Sequence, residues 1–473
     1  MDYKQIGLKS GLEIHQHLDT HKLFCSCPSF IRTDIPTVIL KRELRPLAGE
    51  VGKIDPAALF EKKKRKYYLY EVYPDTNCLV EMDEEPPHLV NQEAVDTALL
   101  IAKIFHCEIP ETIQFMRKTV VDGSNTSGFQ RTALIGMNGY FETSFGKVGI
   151  NNIYLEEEAG RRTAETPDSV TFRLDRLGIA EVEIATAPDC KTPEHVKEAA
   201  EKIGSLLRST GKVRRGIGTI RQDVNVSVTG HPRIELKGVQ ELPQMPKIVE
   251  FEAERQLAAI QNKEKLESHV RNILPDLKSK FLRPMPGAAR MYPETDIPLI
   301  KIDRKKIAAM EIPESFEEKE KKFLKLGLSA DLAKQVVHDV RLSAIETLLS
   351  KFKSANPNTV VSTFLSIESE VKRKIGKEIA FSEQQFNSVF ELLDKDKIAK
   401  ESLAEIFIGL SKGEQLEDLA KKFAKLSDKE LKEEISKLTE EFKSMPPEKI
   451  QGLIIGKLRG KADVQKIIEV LKK

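Results

Sequence analysis

A chain of 473 residues is too long for one hydrophobic core and points to roughly two to four domains. Lys and Arg number 75 against 73 Asp and Glu, a formal net charge of +2, so no global field announces a nucleic acid or a membrane, and any basic surface must be local. No apolar run approaches the length of a membrane span and the start has no signal-like apolar stretch, so a cytoplasmic protein without membrane contact is expected.

In chain order, the first informative stretch is Gly11-Leu12-Glu13-Ile14-His15. It reads as a strand, in which Glu13 and His15 project to one side at a spacing that suits one metal ion. Two ligands make half a site, because a hard cation takes roughly six oxygen-rich positions. The five cysteines form an odd set without a disulfide framework, as in a reducing compartment. Cys25 and Cys27 with Cys78 offer three thiolates, one short of a closed zinc site and without Cys-x-x-Cys spacing, so free buried cysteines are favoured over zinc. Lys62-Lys63-Lys64-Arg65-Lys66 is a charge run of the kind that usually forms a solvated face.

Apolar residues at helical spacing predict a helix over 91–105 with Asn91 as N-cap, and Thr192-Pro193-Glu194 opens another. The runs 148–154, 169–174 and 223–228 predict strands in a largely antiparallel sheet. Leu155-Glu156-Glu157-Glu158-Ala159-Gly160 continues one strand and stops at Gly, which places three carboxylates where they can converge on a cleft. In Ala180-Glu181-Val182-Glu183-Ile184, both acids share a face. Strands and helices do not alternate as βαβ units, so the class is α+β.

Pro and Gly interrupt regular structure over 281–300, and beyond Glu311 the composition shifts to Lys, Glu, Leu, Ala and Ser with apolar spacings of three and four. Breaks at Ser427-Asp428 and Pro446-Pro447 set off a last unit. The expected domains are therefore a mixed one over 1–310, an all-α helical one over 311–427 and a small helical tail over 428–473. After Pro447 there are seven Lys/Arg against three Asp/Glu, densest over Gly456-Lys457-Leu458-Arg459-Gly460-Lys461.

Glu13, His15, Glu156 and Glu183 combine into an acidic cation site on one sheet, with oxygen ligands favouring Mg²⁺ over Zn²⁺. By spacing alone, a solvated strand end and a satisfied core histidine explain the same residues. The chain holds no Gly-x-x-x-x-Gly-Lys-Ser/Thr loop, no Gly-x-Gly-x-x-Gly and no Gly-x-Ser-x-Gly elbow.

Several ordered motifs carry a resemblance over nearly the whole chain. They are Gly11 to Leu18 with Lys22-Leu23-Phe24-Cys25-Ser26-Cys27-Pro28, Leu155 to Gly160, Val182-Glu183-Ile184, Ile220 to Ser227 with Glu235-Leu236-Lys237, and Gly460-Lys461-Ala462. With them the sequence resembles the GatB/GatE family of tRNA-dependent amidotransferase subunits. Cys78 to Pro87 and Leu282 to Asp296 are similar to its E-type members.

The resemblance implies a cradle-shaped catalytic domain with a mainly antiparallel sheet, a helical domain and a small tRNA-binding tail. It implies that glutamate carried on tRNA(Gln) is phosphorylated by ATP and then amidated with ammonia from an asparaginase-like glutaminase partner in a hetero-oligomer. By motif position, Glu13, His15, Glu156 and Glu183 would be the catalytic magnesium ligands. Arg117, Lys118, Ser127, Gln130, Arg131, Arg221, Asp223, Asn225, Glu235 and Lys237 would meet the nucleotide and the aminoacylated tRNA end. Lys457, Arg459 and Lys461 would touch the tRNA body. E-type members carry an inserted domain before the Leu282-Arg283-Pro284 stretch, and here only Gln261 to Lys280 occupies its place. A B-type subunit with an amidase partner and a catalytically silent tRNA-binding scaffold are the alternatives.

Overall fold

The computed structural model describes residues 1–43, 63, 66–120, 122–285, 291–443, 445, 447–458 and 460–471. The chain divides into two compact units, Met1–Pro313 and Glu314–Lys473.

The first unit is built on strands β1 (Lys9–His17), β2 (Val38–Arg42), β3 (Tyr67–Val72), β4 (Thr112–Ile113), β5 (Phe115–Thr119), β6 (Phe129–Thr143), β7 (Gly146–Glu157), β8 (Arg161–Glu165), β9 (Ser169–Arg173) and β10 (Ala180–Thr186). They are followed by β11 (Ile220–Ser227), β12 (Ile234–Lys237), β13 (His269–Ile273), β14 (Ser279–Pro284), β15 (Met291–Pro293) and β16 (Ile300–Lys301). Ten of them form one sheet in the order β14-β13-β12-β11-β1-β10-β7-β6-β5-β15, antiparallel except where β12 meets β13. A second sheet runs β2-β3-β9-β8, with β3 and β9 parallel.

Helices α1 (Gln92–Ile104), α2 (Pro193–Ser209) and α3 (Met245–Gln261) share the apolar core of the large sheet. The first two start where the sequence places them: the Asn91 side chain accepts from the Glu93 and Ala94 amides, and Thr192 from the His195 amide, with Pro193 at a position whose missing N–H costs nothing. Alternation then sorts the central strands, sending Leu12 and Ile14 of β1, Val182 and Ile184 of β10, Leu155 of β7 and Val224 of β11 into that core. Each such side chain stabilises the fold by roughly 1.5–3 kcal/mol. The opposite face of the same strands is left to polar residues.

Between α3 and the Pro-rich stretch, where the resemblance leaves room for an inserted domain, the chain makes the β13–β14 hairpin, closed by a hydrogen bond from the Leu274 amide to the Lys278 carbonyl. Glu252 of α3, buried, anchors it: Ser279 Oγ donates to its carboxylate at 3.0 Å and Arg255 does so at 2.7 Å.

The second unit is helical among its described residues. It has an aromatic-rich core in which Phe381, Phe386 and Phe407 pack mutually, and a separate apolar cluster around Leu431, Ile435, Leu438, Ile454 and Ile467. The predicted break at Ser427 is a capping box, with Ser427 and Glu430 satisfying each other's backbone amides.

Gly139, on β6, packs so closely on the chain after α1 that an added methyl would overlap the Phe105 carbonyl and the Cys107 sulfur. Gly139→Ala is expected to cost about 1–3 kcal/mol by overpacking, measured as a lower urea midpoint of the first unit.

Candidate active site

The polar face of the large sheet extends from β12 across to β5, and strand register decides what meets there. Across β1 and β10, His15 stands beside Glu183 and His17 beside Glu181. Across β1 and β11, Glu13 stands beside Asp223 and His15 beside Arg221. Glu181 is next to Glu156 on β7, and Glu156 is next to Thr132 on β6. His15, Glu156 and Glu183 each offer a ligand atom within 4.8 Å of one another, and so do Glu13, His15 and Asp223. The four residues chosen from the sequence as a cation site are thus gathered around His15. Asp223 joins them, having been picked from the sequence for a different part of the pocket.

So many carboxylates need interleaved positive charge, because a buried anion without a partner costs several kcal/mol. Lys118 of β5 supplies it on one side, its Nζ lying 3.0 Å from Glu156 and 3.3 Å from Glu183. Lys237 of β12 supplies it on the other, at 2.5 Å from Asp223 and 3.0 Å from Glu235. Thr132 Oγ1 and Gln130 Nε2 donate to Glu156 at 2.6 and 3.0 Å. Asn225, on the same β11 face, has a buried Oδ1 without a hydrogen-bond partner among the described residues.

The ionisation pattern follows from these neighbours. Burial raises the Glu156 carboxyl, aided by the nearby charge of Glu183. Burial works against the charge on His15, but the hydrogen bond to Glu13, at 3.4 Å, and the surrounding acids outweigh it and lift the imidazole to about 10. Burial likewise opposes the charge on Glu13, and His15 with Lys237 overcomes it and lowers that carboxyl. Lys118 is raised despite its desolvation, by Glu156 and Glu183. The donor set is one imidazole among carboxylates, with an ammonium already held between two of them. It fits a hard divalent cation.

The remaining sequence candidates divide by strand parity. Arg117 and Arg131 face each other across β5 and β6, one residue out of phase with Lys118 and Gln130, and so lie on the opposite side of the sheet. There Glu294, fully buried at its side chain, receives Arg117 Nη2 at 2.6 Å and Arg131 Nε at 2.8 Å, while Glu157 takes the Arg131 amide at 2.9 Å. Ser127 and Arg131 line a small cavity with Glu157, Glu81 and Asn125. Glu156 to Glu158 therefore do not converge on one cleft: Glu157 turns away, and Glu158 joins His17 and Glu181 in a third, fully buried group that sequence patterning did not single out.

Cys25, Cys27, Cys78 and Glu81 are also close, with Cys25 Sγ donating to Glu81 at 2.8 Å. The hydrogen bond with Cys25 holds the Cys27 thiol down at about 7, whereas burial pushes Cys78 up to about 12. In the tail, Lys457 pairs with Glu441 at 2.6 Å and Lys461 is exposed; Arg459, like most of the Lys62–Lys66 run, lies outside the described residues.

Residues 8–308, which contain the whole polar face, match the model of the GatB/GatE catalytic domain. The chain belongs to the GatB/GatE family. Similar curated proteins are the glutamyl-tRNA(Gln) amidotransferase subunits E of Sulfurisphaera tokodaii, 35% identical over 624 aligned positions with 100% of this chain and 99% of the relative covered, and of Methanocaldococcus jannaschii, 34% identical with the same coverage. That of Saccharolobus solfataricus is 34% identical, with 100% and 98% covered. An alignment of 624 positions against 473 residues leaves many positions of these GatB/GatE relatives without a counterpart here.

Two measurements bear on the geometry. Lys118→Met removes the ammonium between Glu156 and Glu183, so its melting temperature is expected to fall by several degrees, and added Mg²⁺ or Mn²⁺ is expected to restore more of it than it adds to the unaltered chain. Cys27 is expected to be alkylated by iodoacetamide before the other cysteines, at a rate that rises with pH through about 7 as its thiolate forms.

Proposed function

We propose that this chain converts glutamate esterified to tRNA(Gln) into glutamine, using ATP to activate the side-chain carboxylate and ammonia delivered by a partner subunit of an asparaginase-like glutaminase type. The observation that carries the reading is the gathering of His15, Glu13, Glu156 and Glu183 on the open face of the sheet, flanked by Lys118 and Lys237. The names of the relatives, which specify glutamyl-tRNA(Gln) and an amidotransferase subunit, supply the substrate.

A carboxylate is a poor acyl donor. Transfer of the γ-phosphoryl group from ATP to the glutamate side chain makes an acyl phosphate, and attack of ammonia on its carbonyl carbon then expels inorganic phosphate and leaves the amide. Both steps bring anions together, and the face has charges of both signs to manage this. Lys118 and Lys237, each partly open to solvent, are placed to neutralise oxygens of the incoming phosphate or carboxylate. As they turn toward substrate, Glu156, Glu183 and Asp223 are left able to take up another cation. Glu13, His15, Glu156 and Glu183 would hold Mg²⁺, which when bound supplies charge neutralisation at the transferring phosphoryl group. Asn225, Glu235 and Gln130 line the same face and shape the pocket around the substrate.

For the chain outside 1–310, we propose a helical domain over 311–427 and a tail over 428–473 whose Lys457, Arg459 and Lys461 contact tRNA phosphates, so that binding weakens as salt rises.

The test is the unaltered chain with Glu-tRNA(Gln), ATP and an ammonium salt, with Gln-tRNA(Gln) as the readout. Product should form, and Glu156→Gln and Glu183→Gln should each reduce turnover by at least about a hundredfold while tRNA affinity is retained. No product, with or without the partner, sinks the assignment; turnover unchanged by both substitutions would leave a tRNA-binding scaffold. Removal of residues beyond Ser427 should weaken tRNA binding and flatten its salt dependence while ATP hydrolysis persists.

A further inference from the structure

Beside the His15 cluster lies a second set of charges, built on the buried His17, Glu158 and Glu181, for which the reading above has no use. Glu181 is 1% exposed, and one of its carboxylate oxygens is 3.8 Å from His15 Nδ1. That ring nitrogen is buried and has no hydrogen-bond partner among the described residues, while the other, Nε2, is 3.4 Å from Glu13. The imidazole thus stands between two carboxylates, Glu13 at 3.4 Å from one ring nitrogen and Glu181 at 3.8 Å from the other.

Glu181 does not move freely. Arg221 Nη2 donates to it at 3.0 Å, and Nη1 of the same guanidinium pairs with Glu158. Glu158 also takes His17 Nε2 at 2.8 Å and lies 3.8 Å from Arg176 Nε. One planar fork therefore spans two acids from neighbouring strands and fixes the position of both, which an ammonium on a flexible stem would do less well.

A histidine that ligates a metal through one ring nitrogen is commonly oriented by a carboxylate or carbonyl at the other, which sets the tautomer and the ring plane. We propose that Glu181 is this orienting carboxylate for His15 and that Arg221 is the residue that holds it there. Both are positioning residues rather than ligands or substrate contacts. This assigns Arg221 a different task from the nucleotide or tRNA contact that its motif implies. It rests on the reading of His15 as a ligand.

The sign of one substitution separates positioning from simple charge. Arg221→Gln removes a positive charge beside the cluster, so a field effect alone would make a divalent cation bind more tightly, whereas loss of the clamp on Glu181 makes it bind more weakly. Mn²⁺ binding to the full chain, followed by loss of the free-ion electron paramagnetic resonance signal, reads this without any turnover. Glu181→Leu is expected to weaken Mn²⁺ affinity about ten- to a hundredfold. Glu181→Gln, which keeps an acceptor for the ring N–H, is expected to fall well short of that loss, and Arg221→Gln to weaken binding as well. Unchanged or tighter binding in R221Q overturns the proposal, as does a loss in E181Q equal to that in E181L. If E181L does not fold, the R221Q result decides. Absence of Mn²⁺ binding by the unaltered chain would instead overturn the metal reading itself, and this inference with it.

Discussion

Crowding carboxylates onto one sheet face is the constraint on which the rest of the first unit depends. Each acid removed from water must find a cation or donors within a few ångströms, and strand register is what delivers them. Lys118 arrives on β5, Arg221 on β11 and Lys237 on β12, so the strands flanking the central β1–β10–β7 trio carry the compensating charge. A one-residue slip of any of these strands would send its charged side chain into the apolar core. The helices on the other side, by packing Leu12, Ile14, Val182 and Ile184, hold that register in place.

The same alternation puts the opposite charges of Arg117, Arg131, Glu157 and Glu294 on the other side of β5 and β6. They form a compact ion-pair set, to which Asp296 adds a contact with Arg117. Two electrostatic assemblies are therefore separated by one layer of backbone. One pairs acids and arginines around the buried Glu294. The other is partly open, with Lys118 and Lys237 each reaching solvent.

Much of this was legible in the sequence, and the limits have physical causes. Helix starts at Asn91 and Thr192 followed from capping chemistry, and the shared face of Glu13 with His15 and of Glu181 with Glu183 followed from the two-residue period. Family motifs, not spacing, joined Glu156 and Glu183 to His15, since nothing local says which strands become neighbours. Reading Arg117-Lys118 and Gln130-Arg131 as single motifs hid their parity: adjacent strand residues point apart, and only one of each pair reaches the polar face. The buried group of His17, Glu158 and Glu181 gave no local signal, because charged residues in a strand look solvated until a partner strand covers them. The run 169–174 is a strand as read, but it does not join the antiparallel sheet: as β9 it pairs in parallel with β3 in the separate sheet β2-β3-β9-β8, because nothing local brings those distant segments together.

The β13–β14 hairpin has a meaning for how such proteins change over time. It docks on β12 at the rim of the large sheet, away from the central strands β1, β10 and β7. A rim is the place where a fold tolerates grafting: whole modules can be gained or shed there while every strand that carries the chemistry keeps its neighbours. What is attached at such an edge can therefore differ in size while the register of the central strands, and the side chains they bring together, stays as it is.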